Sequence, residues 1–320
     1  MALVGIARLA AQSELLEAKS RVQYFEIPTR SILNRTKPNM PFRWTINPYR
    51  GCEFGCKYCY ARYTHEFMEL EAREFEEKIY AKSAVEHLLA QELARVDRKD
   101  GIAIGTATDP YQPAERRYGC TRSILEVFAR ERGRHLGIIT KSDLIVRDVE
   151  LLREIARANV LSVHLTITTL DEKLARLVEP RAPRPDLRLA AVRRLSEAGM
   201  RVGVNPNPIM PLLTDSERDL DRLAKAVRDA GAESFGGGAL FLMPCAQKVF
   251  LPFLEQHFPL LAPYYREQYA KSAYLGRGYK EMLRARVQKI RERYGLSSGP
   301  VDYQPELWQG EEQPTLFPLQ

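Results

Sequence analysis

Asn47-Pro-Tyr-Arg-Gly-Cys52-Glu-Phe-Gly-Cys56-Lys-Tyr-Cys59-Tyr60 gathers three of the chain's five cysteines, spaced C-x3-C-x2-C, while Cys120 and Cys245 lie far along the chain. Thiolates so crowded suit an iron-sulfur cluster. A 4Fe-4S cluster normally takes four cysteines, so three leave one iron open to chelate a small molecule. Gly51 and Gly55 suit a backbone that wraps closely around an inorganic core, and Tyr58 places a ring inside the C-x2-C step. The competing arrangement is zinc held by the three thiolates and His65. Structural zinc loops usually pair one cysteine knuckle with a distant second pair, and this sequence has no second pair. Disulfides would leave one cysteine odd.

A loop of this kind needs elements to hold it, and the sequence supplies them periodically. Short β-prone runs at 43–46, 102–107, 135–139, 160–167, 201–204 and 236–242 alternate with amphipathic stretches. Among these, 84–96 follows Ser83 as a cap and has Val85, Leu88, Leu89 and Leu93 as its stripe. Thr121 caps the next, to about 131. Further helices fall around Leu144–Ile155 in register, at 186–198 before Gly199, and at 216–230 before Gly231. Strands alternating with helices every thirty residues or so imply βαβ units and a parallel sheet. Six units predict an α/β fold, a partial (β/α)6 TIM-type barrel, with its chemistry at the C-terminal ends of the strands. Those ends offer Thr106, Thr108 and Asp109 after the second strand, Lys141 after the third, and Thr166 and Thr168 after the fourth.

The remainder divides around that barrel. Residues 1–42 form a lead-in whose later part, with Pro28, Pro38 and Pro41, reads as lacking regular structure. Residues 43–243 are the barrel, 244–296 a helical C-terminal extension, and 297–320, rich in Gly, Pro, Glu and Gln, a disordered tail. No apolar run is long enough to span a bilayer, and residues 1–20 carry Arg8 within their apolar part, so they read as amphipathic and not as a signal peptide. Clustered cysteines without an even framework fit a reducing, cytoplasmic location. The formal charge of +7 favours polyanionic partners. Arginines concentrate at 181–194 and at 284–293, the latter on a helical pattern whose polar face reads as solvated.

The cysteine spacing with an inner aromatic resembles the signature of radical S-adenosylmethionine (SAM) enzymes. Thr106-Ala-Thr-Asp-Pro, Thr140-Lys-Ser, Thr166-Ile-Thr-Thr, Glu179-Pro-Arg and Ala198-Gly-Met-Arg-Val-Gly-Val204 follow the order and spacing of proteins related to spore photoproduct lyase, across residues 44–241. The resemblance implies a cluster on Cys52, Cys56 and Cys59 whose unique iron binds SAM. It implies reductive cleavage of SAM to a 5′-deoxyadenosyl radical, fed by an electron donor such as flavodoxin or ferredoxin. It further implies SAM contacts from Tyr58, Thr106, Asp109, Lys141, Thr166 and Thr168, with Lys141 placed for the methionine carboxylate, and damaged DNA as a substrate class. The lyase's hydrogen-donor cysteine at the end of its second strand is replaced here by Thr106. Cys120, at a helix start, is the candidate donor, a position where the terminus would lower its pKa and burial would make it inert. The alternative function is a non-enzymatic nucleic-acid-binding protein with a structural zinc or iron-sulfur site. Gln313-Pro-Thr-Leu-Phe317 is similar to the motif that docks repair proteins on the replication sliding clamp, through Gln313, Leu316 and Phe317.

Overall fold

The computed structural model describes residues 3–19, 21–300 and 302–308. Strands β1 (Glu14–Lys19), β2 (Val22–Ile27) and β3 (Leu33–Arg35) precede β4 (Trp44–Ile46) and β5 (Tyr49–Arg50). After the cysteine loop come β6 (Lys78–Lys82), β7 (Gly101–Ile104), β8 (His135–Thr140), β9 (Val160–Thr166), β10 (Val202–Asn205) and β11 (Ser234–Phe235).

The main sheet runs β11-β10-β9-β8-β7-β4-β3. Six strands are parallel and follow one another in chain order, and β3 lies antiparallel on β4 at one edge. This is the partial (β/α)6 barrel that the periodicity predicts. Its core is aliphatic: Ile104, Ile138, Val163 and Val204 from the strands meet Leu89, Ile124, Leu152, Val192 and Leu223 from the helices, all nearly inaccessible. In β8 and β9 buried residues alternate with half-buried ones, as expected of strands with one face on the barrel interior and the other under helices.

A second sheet, β1-β2-β6-β5, was not expected. The lead-in contributes β1, from its amphipathic first part, and β2, from the part that reads as irregular, and β2 pairs in parallel with β6, more than fifty residues later. The prolines fall at its margins: Pro28 directly follows β2, and Pro38 and Pro41 lie between β3 and β4. The sixth barrel strand also starts earlier than the sequence suggests, at Ser234–Phe235, and within 236–242 only an isolated bridge between Ile209 and Ala239 remains.

Two helix starts differ from expectation. The Ser83 hydroxyl donates to the Ile27 carbonyl instead of capping, and helix Val85–Leu93 begins after Ala84 at φ +54°. Helix Cys120–Ala129 is not capped by Thr121, whose hydroxyl donates to Pro110. The buried Glu115 carboxylate caps it, accepting the amides of Thr121 at 2.8 Å and Arg122 at 3.1 Å.

The C-terminal helices have separate tasks. Arg277–Arg293 sends Leu283, Val287 and Ile290 into the barrel core and lies along Glu217–Asp229, with Tyr294 bonded to Asp221 at 2.8 Å. Pro244–His257 and Ala262–Gln268 pack Phe250, Phe253 and Tyr265 against Phe54, Tyr58 and Phe75 of the cysteine-loop region. The tail read as disordered from residue 297 is ordered at least to 308: Tyr303 Oη donates to the Asn159 carbonyl at 2.9 Å, and Trp308 Nε1 to the Ala158 carbonyl at 2.8 Å. Gln313, Leu316 and Phe317 lie outside the described residues. Among the described residues no helix is long and apolar enough to cross a membrane.

Candidate active site

The cysteine loop leaves β5 and turns at Gly51, which has φ +83°. A Cβ there would stand 2.6 Å from the Lys78 carbonyl and 2.9 Å from that of Phe75, so only glycine fits. Polar side chains from the barrel mouth fix the turn. Thr108 Oγ1 and Gln112 Nε2 donate to the Gly51 carbonyl at 2.6 and 3.1 Å, and Gln112 Oε1 accepts the Glu53 amide at 2.9 Å. Across the loop, Lys57 N donates to Val178 O at 2.9 Å. The inaccessible Arg62 clamps the far side, donating to Cys56 O at 3.0 Å and to Ala72 O at 2.7 Å and pairing with Glu76 at 2.5 Å.

The loop presents Cys52, Cys56 and Cys59 as free thiols, the first two buried and the third half-buried. Burial, with Asp109 and the neighbouring thiols adding to it, pushes Cys52 well above its ordinary range, opposed by the Phe54 amide. Burial likewise pushes Cys56 up to about 12, against the pull of Lys141. Cys59 is also raised by burial, while Arg62 and the Ala61 amide act in the opposite direction. Three thiols held apart from water ionise when a metal supplies the compensating charge. The donor set therefore fits an iron-sulfur cluster. It does not extend to the zinc arrangement: His65 faces the second sheet, its Nε2 2.9 Å from the Lys78 carbonyl and its ring edge-on to Phe75 and Tyr80. Among the described residues no group of three or more His, Cys, Asp or Glu side chains converges as ligands of a single ion would.

Beside the thiols, at the ends of β8 and β9, lies a buried charged network. Glu179 accepts hydrogen bonds from Tyr58 Oη and, at 3.2 Å, Thr168 Oγ1, and it pairs with Arg188 at 2.6 Å. Arg188 also donates to the carbonyls of Thr166 at 3.0 Å and Pro183 at 2.7 Å. Burial would raise the Glu179 carboxyl, but Arg188 and Lys141 together hold it below the usual carboxylate range. Lys141 Nζ stands 5.8 Å from the Tyr58 ring centre and, among the described residues, makes no ion pair. Burial would lower its pKa; Cys56 and Glu179 outweigh that and raise it, so Lys141 stays charged.

A barrel of parallel strands with three free thiols on the loop after its first strand, and a charged lysine facing them, narrows the family. The sequence profile of the Radical SAM superfamily matches residues 46–227. The chain belongs to the radical SAM superfamily. It is 36% identical to an uncharacterized protein of Mycobacterium tuberculosis over 95% of this chain and 91% of that one. It is 29% identical to an uncharacterized protein of Methanocaldococcus jannaschii over 75% of this chain and 85% of that one. Among solved structures it shares its fold with spore photoproduct lyase bound to SAM and dinucleoside spore photoproduct, at TM-score 0.64 and 16% identity over 85% of this chain and 80% of the lyase.

This radical SAM enzyme brings Tyr58, Lys141, Thr166 and Thr168 together through Glu179 and Arg188. Thr106 is near the loop as well, its hydroxyl 3.3 Å from Asn47 Nδ2 and its carbonyl accepting from Tyr60. Asp109 is occupied within the fold: it accepts Thr140 Oγ1 and the Lys141 amide, both at 2.7 Å, and the Tyr111 amide at 2.9 Å. Its carboxylate positions the end of β8, and with it Lys141. Cys120 is not brought to the site. It packs in a separate cluster with Val22, Tyr24 and Tyr49, and burial pushes its thiol up to about 11, so the helix terminus does not activate it. The thiol that reaches the cysteine loop is Cys245, 3.5 Å from the Tyr60 carbonyl. Sequence reasoning gave Arg188 no role beyond an arginine-rich stretch, yet the side chain is 1% exposed. The signal available was Glu179 itself, an acidic residue in a motif that repeats the family's order.

Proposed function

We propose that Cys52, Cys56 and Cys59 hold a 4Fe-4S cluster at which this radical SAM enzyme binds and reductively cleaves SAM, acting on damaged nucleic acid. The observation that carries the reading is the set of three free thiols, two buried and one half-buried, facing a lysine that makes no ion pair among the described residues. When bound, the cluster and SAM supply one electron and a carbon radical that abstracts hydrogen; the protein supplies ligation, orientation and exclusion of water.

Lys141 is the cation for the methionine carboxylate of SAM. Its approach is fixed by Asp109, which holds its amide, and by the Tyr58 ring. Thr166 and Thr168 offer hydroxyls at the end of β9 for carboxylate or ribose. Glu179 keeps Tyr58 and Thr168 in place and is neutralised by Arg188, so no negative charge faces the carboxylate uncompensated. The apolar wall of Phe54, Phe250 and Tyr265 behind the loop excludes water from the cluster side. Nucleic acid as substrate is supported by the motif order shared with spore photoproduct lyase relatives and by the +7 charge. An electron donor such as flavodoxin or ferredoxin, a cytoplasmic location and clamp docking through Gln313, Leu316 and Phe317 belong to the same proposal.

The test is anaerobic reconstitution followed by dithionite and SAM. About four irons per chain and formation of 5′-deoxyadenosine are expected, with damaged DNA the first substrate to offer. Stoichiometric zinc without iron would overturn the reading.

A further inference from the structure

Tyr60, the residue after Cys59, opens a row of rings across the face beside the cysteine loop. Tyr63 stacks on it at 6.4 Å and meets Phe67 edge-on at 5.4 Å; on the other side Phe241 lies at 6.0 Å and passes the row to Tyr274 at 4.5 Å. The row is not core. Phe67 is 65% exposed, Tyr274 59% and Tyr60 38%. Two parts of the chain two hundred residues apart, the cysteine loop and the C-terminal extension, contribute rings to one surface, and apolar rings this exposed lose free energy in water unless something covers them.

The charges beside the rings indicate what covers them. Lys280 Nζ stands 5.7 Å over the Tyr274 ring, and Arg50, half-buried, lies close enough to Tyr63 to interact with it. Neither makes an ion pair among the described residues. Glu66, next to Phe67 in the chain, pairs with Lys248 at 2.7 Å. A peptide partner of ordinary composition needs no such surplus of unpaired cations. A chain of phosphates carrying flat bases uses both features, the bases stacking on rings and the phosphates meeting cations.

We infer that this row is a binding platform for single-stranded DNA, leading a strand to the mouth of the barrel. A duplex keeps its base faces stacked inside and offers the rings nothing, so a strand with bases splayed out is the form that fits. The inference rests on the proposed nucleic-acid substrate and names how that substrate is held.

The experiment is fluorescence anisotropy of labelled dT12 with the full, reconstituted chain at 50 and 200 mM salt. The double variant Phe67→Ala, Tyr274→Ala should weaken binding about tenfold or more with little change in salt dependence. The double variant Arg50→Gln, Lys280→Gln should flatten the slope of log K against log salt by about 1.4, two phosphate contacts on a single strand. An abasic oligomer of equal length should bind more weakly than dT12. If the abasic strand or a duplex binds as tightly as dT12, or if the ring variant binds normally, the platform is refuted. Failure here separates cleanly from failure of the substrate reading. Ring-dependent binding of dT12 with damaged DNA left unchanged keeps the platform and removes the lesion substrate. Lesion turnover without ring-dependent binding does the reverse.

Discussion

Two buried carboxylates, Glu115 and Glu179, organise two polar networks in this molecule, and they differ in how completely they are satisfied. Glu115, with no exposed surface, accepts from Tyr49 Oη at 2.6 Å, from the amides of Thr121 and Arg122, and from Arg147 at 2.9 Å. Every one of these bonds ties an element down: the second sheet, the start of helix Cys120–Ala129, the segment after β8. Glu179, nearly as buried, is held by Tyr58, Thr168 and Arg188, yet beside it Lys141 stays charged without an ion pair among the described residues, and burial raises the three thiols. A closed network holds a fold. An open one, in which the surplus is a cation and a set of soft ligands, is built for something the chain does not itself contain.

The largest effect that would break this division is on iron. Alanine at Cys52, Cys56 or Cys59 should drop reconstituted iron from about four per chain to near none, since each thiolate is a proposed ligand. Cys120→Ala, in the closed region, should leave both iron and 5′-deoxyadenosine formation unchanged. Loss of iron on removing Cys120 would show that the two regions are not separate.

The next effect is on stability, measured by urea unfolding. Glu179→Gln leaves the 1%-exposed Arg188 without its carboxylate, a loss of about 3–5 kcal/mol. Glu115→Gln should cost less, about 1–3 kcal/mol, because Arg147 keeps Asp148 at 2.7 Å. Equal losses would mean that Arg188 finds other compensation and that the two carboxylates do the same work.

The barrel was legible because its strands and helices are local and periodic: apolar runs such as His135–Thr140 and Val160–Thr166 announce themselves in six or seven residues. The rule that chemistry collects at strand ends then placed Lys141 and Thr168 near the cysteines. What escaped is non-local. β2 finds its partner in β6, across the whole of β3 to β5, and no window contains both. Glu179 and Arg188 sit nine residues apart on either side of a helix start, a spacing that belongs to no helical or strand period. Thr121 had the right residue type for a cap, but Glu115, six residues earlier, took that role because the short helix Glu115–Tyr118 brings its carboxylate back over the first turn. The glycine run from Gly236 read as a strand and is mostly irregular, since glycine carries little intrinsic preference for one.

His65 sharpens the comparison at a third buried polar group, one with no place in either network. Burial holds its pKa down to about 4, the contact with the Lys78 carbonyl only partly opposing it. The unfolded chain titrates this ring near 6.5, so between pH 6.5 and 4 the unfolded state takes up a proton that the folded state refuses. Stability should therefore fall as pH drops through that window, by about 3 kcal/mol in total. Urea midpoints at pH 7 and pH 4.5 should converge in His65→Gln, which keeps a donor for the carbonyl and removes the titration. A midpoint at pH 7 that moves with zinc chelation in the wild type would instead return His65 to the metal.

The smallest change in stability, and the most selective test of the open network, is expected from Lys141→Met. Its ammonium makes no ion pair among the described residues and stands 5.8 Å from the Tyr58 ring centre, so removing it breaks no ion pair there. Its coupling to Cys56 and Glu179 outweighs the cost of burying it, so unfolding free energy should fall, by about 1 kcal/mol or less. Iron content should not change, since no thiolate is touched. SAM affinity, by contrast, should fall at least tenfold, about 1.4 kcal/mol, because the carboxylate loses the cation proposed for it. Lys141→Arg should recover part of that affinity, as any fixed positive charge there would. Equilibrium dialysis of anaerobic, reconstituted protein against SAM compares the wild type with both variants. Wild-type affinity in Lys141→Met would place the carboxylate elsewhere, and a loss of several kcal/mol in stability would move Lys141 to the same side of the comparison as Glu115.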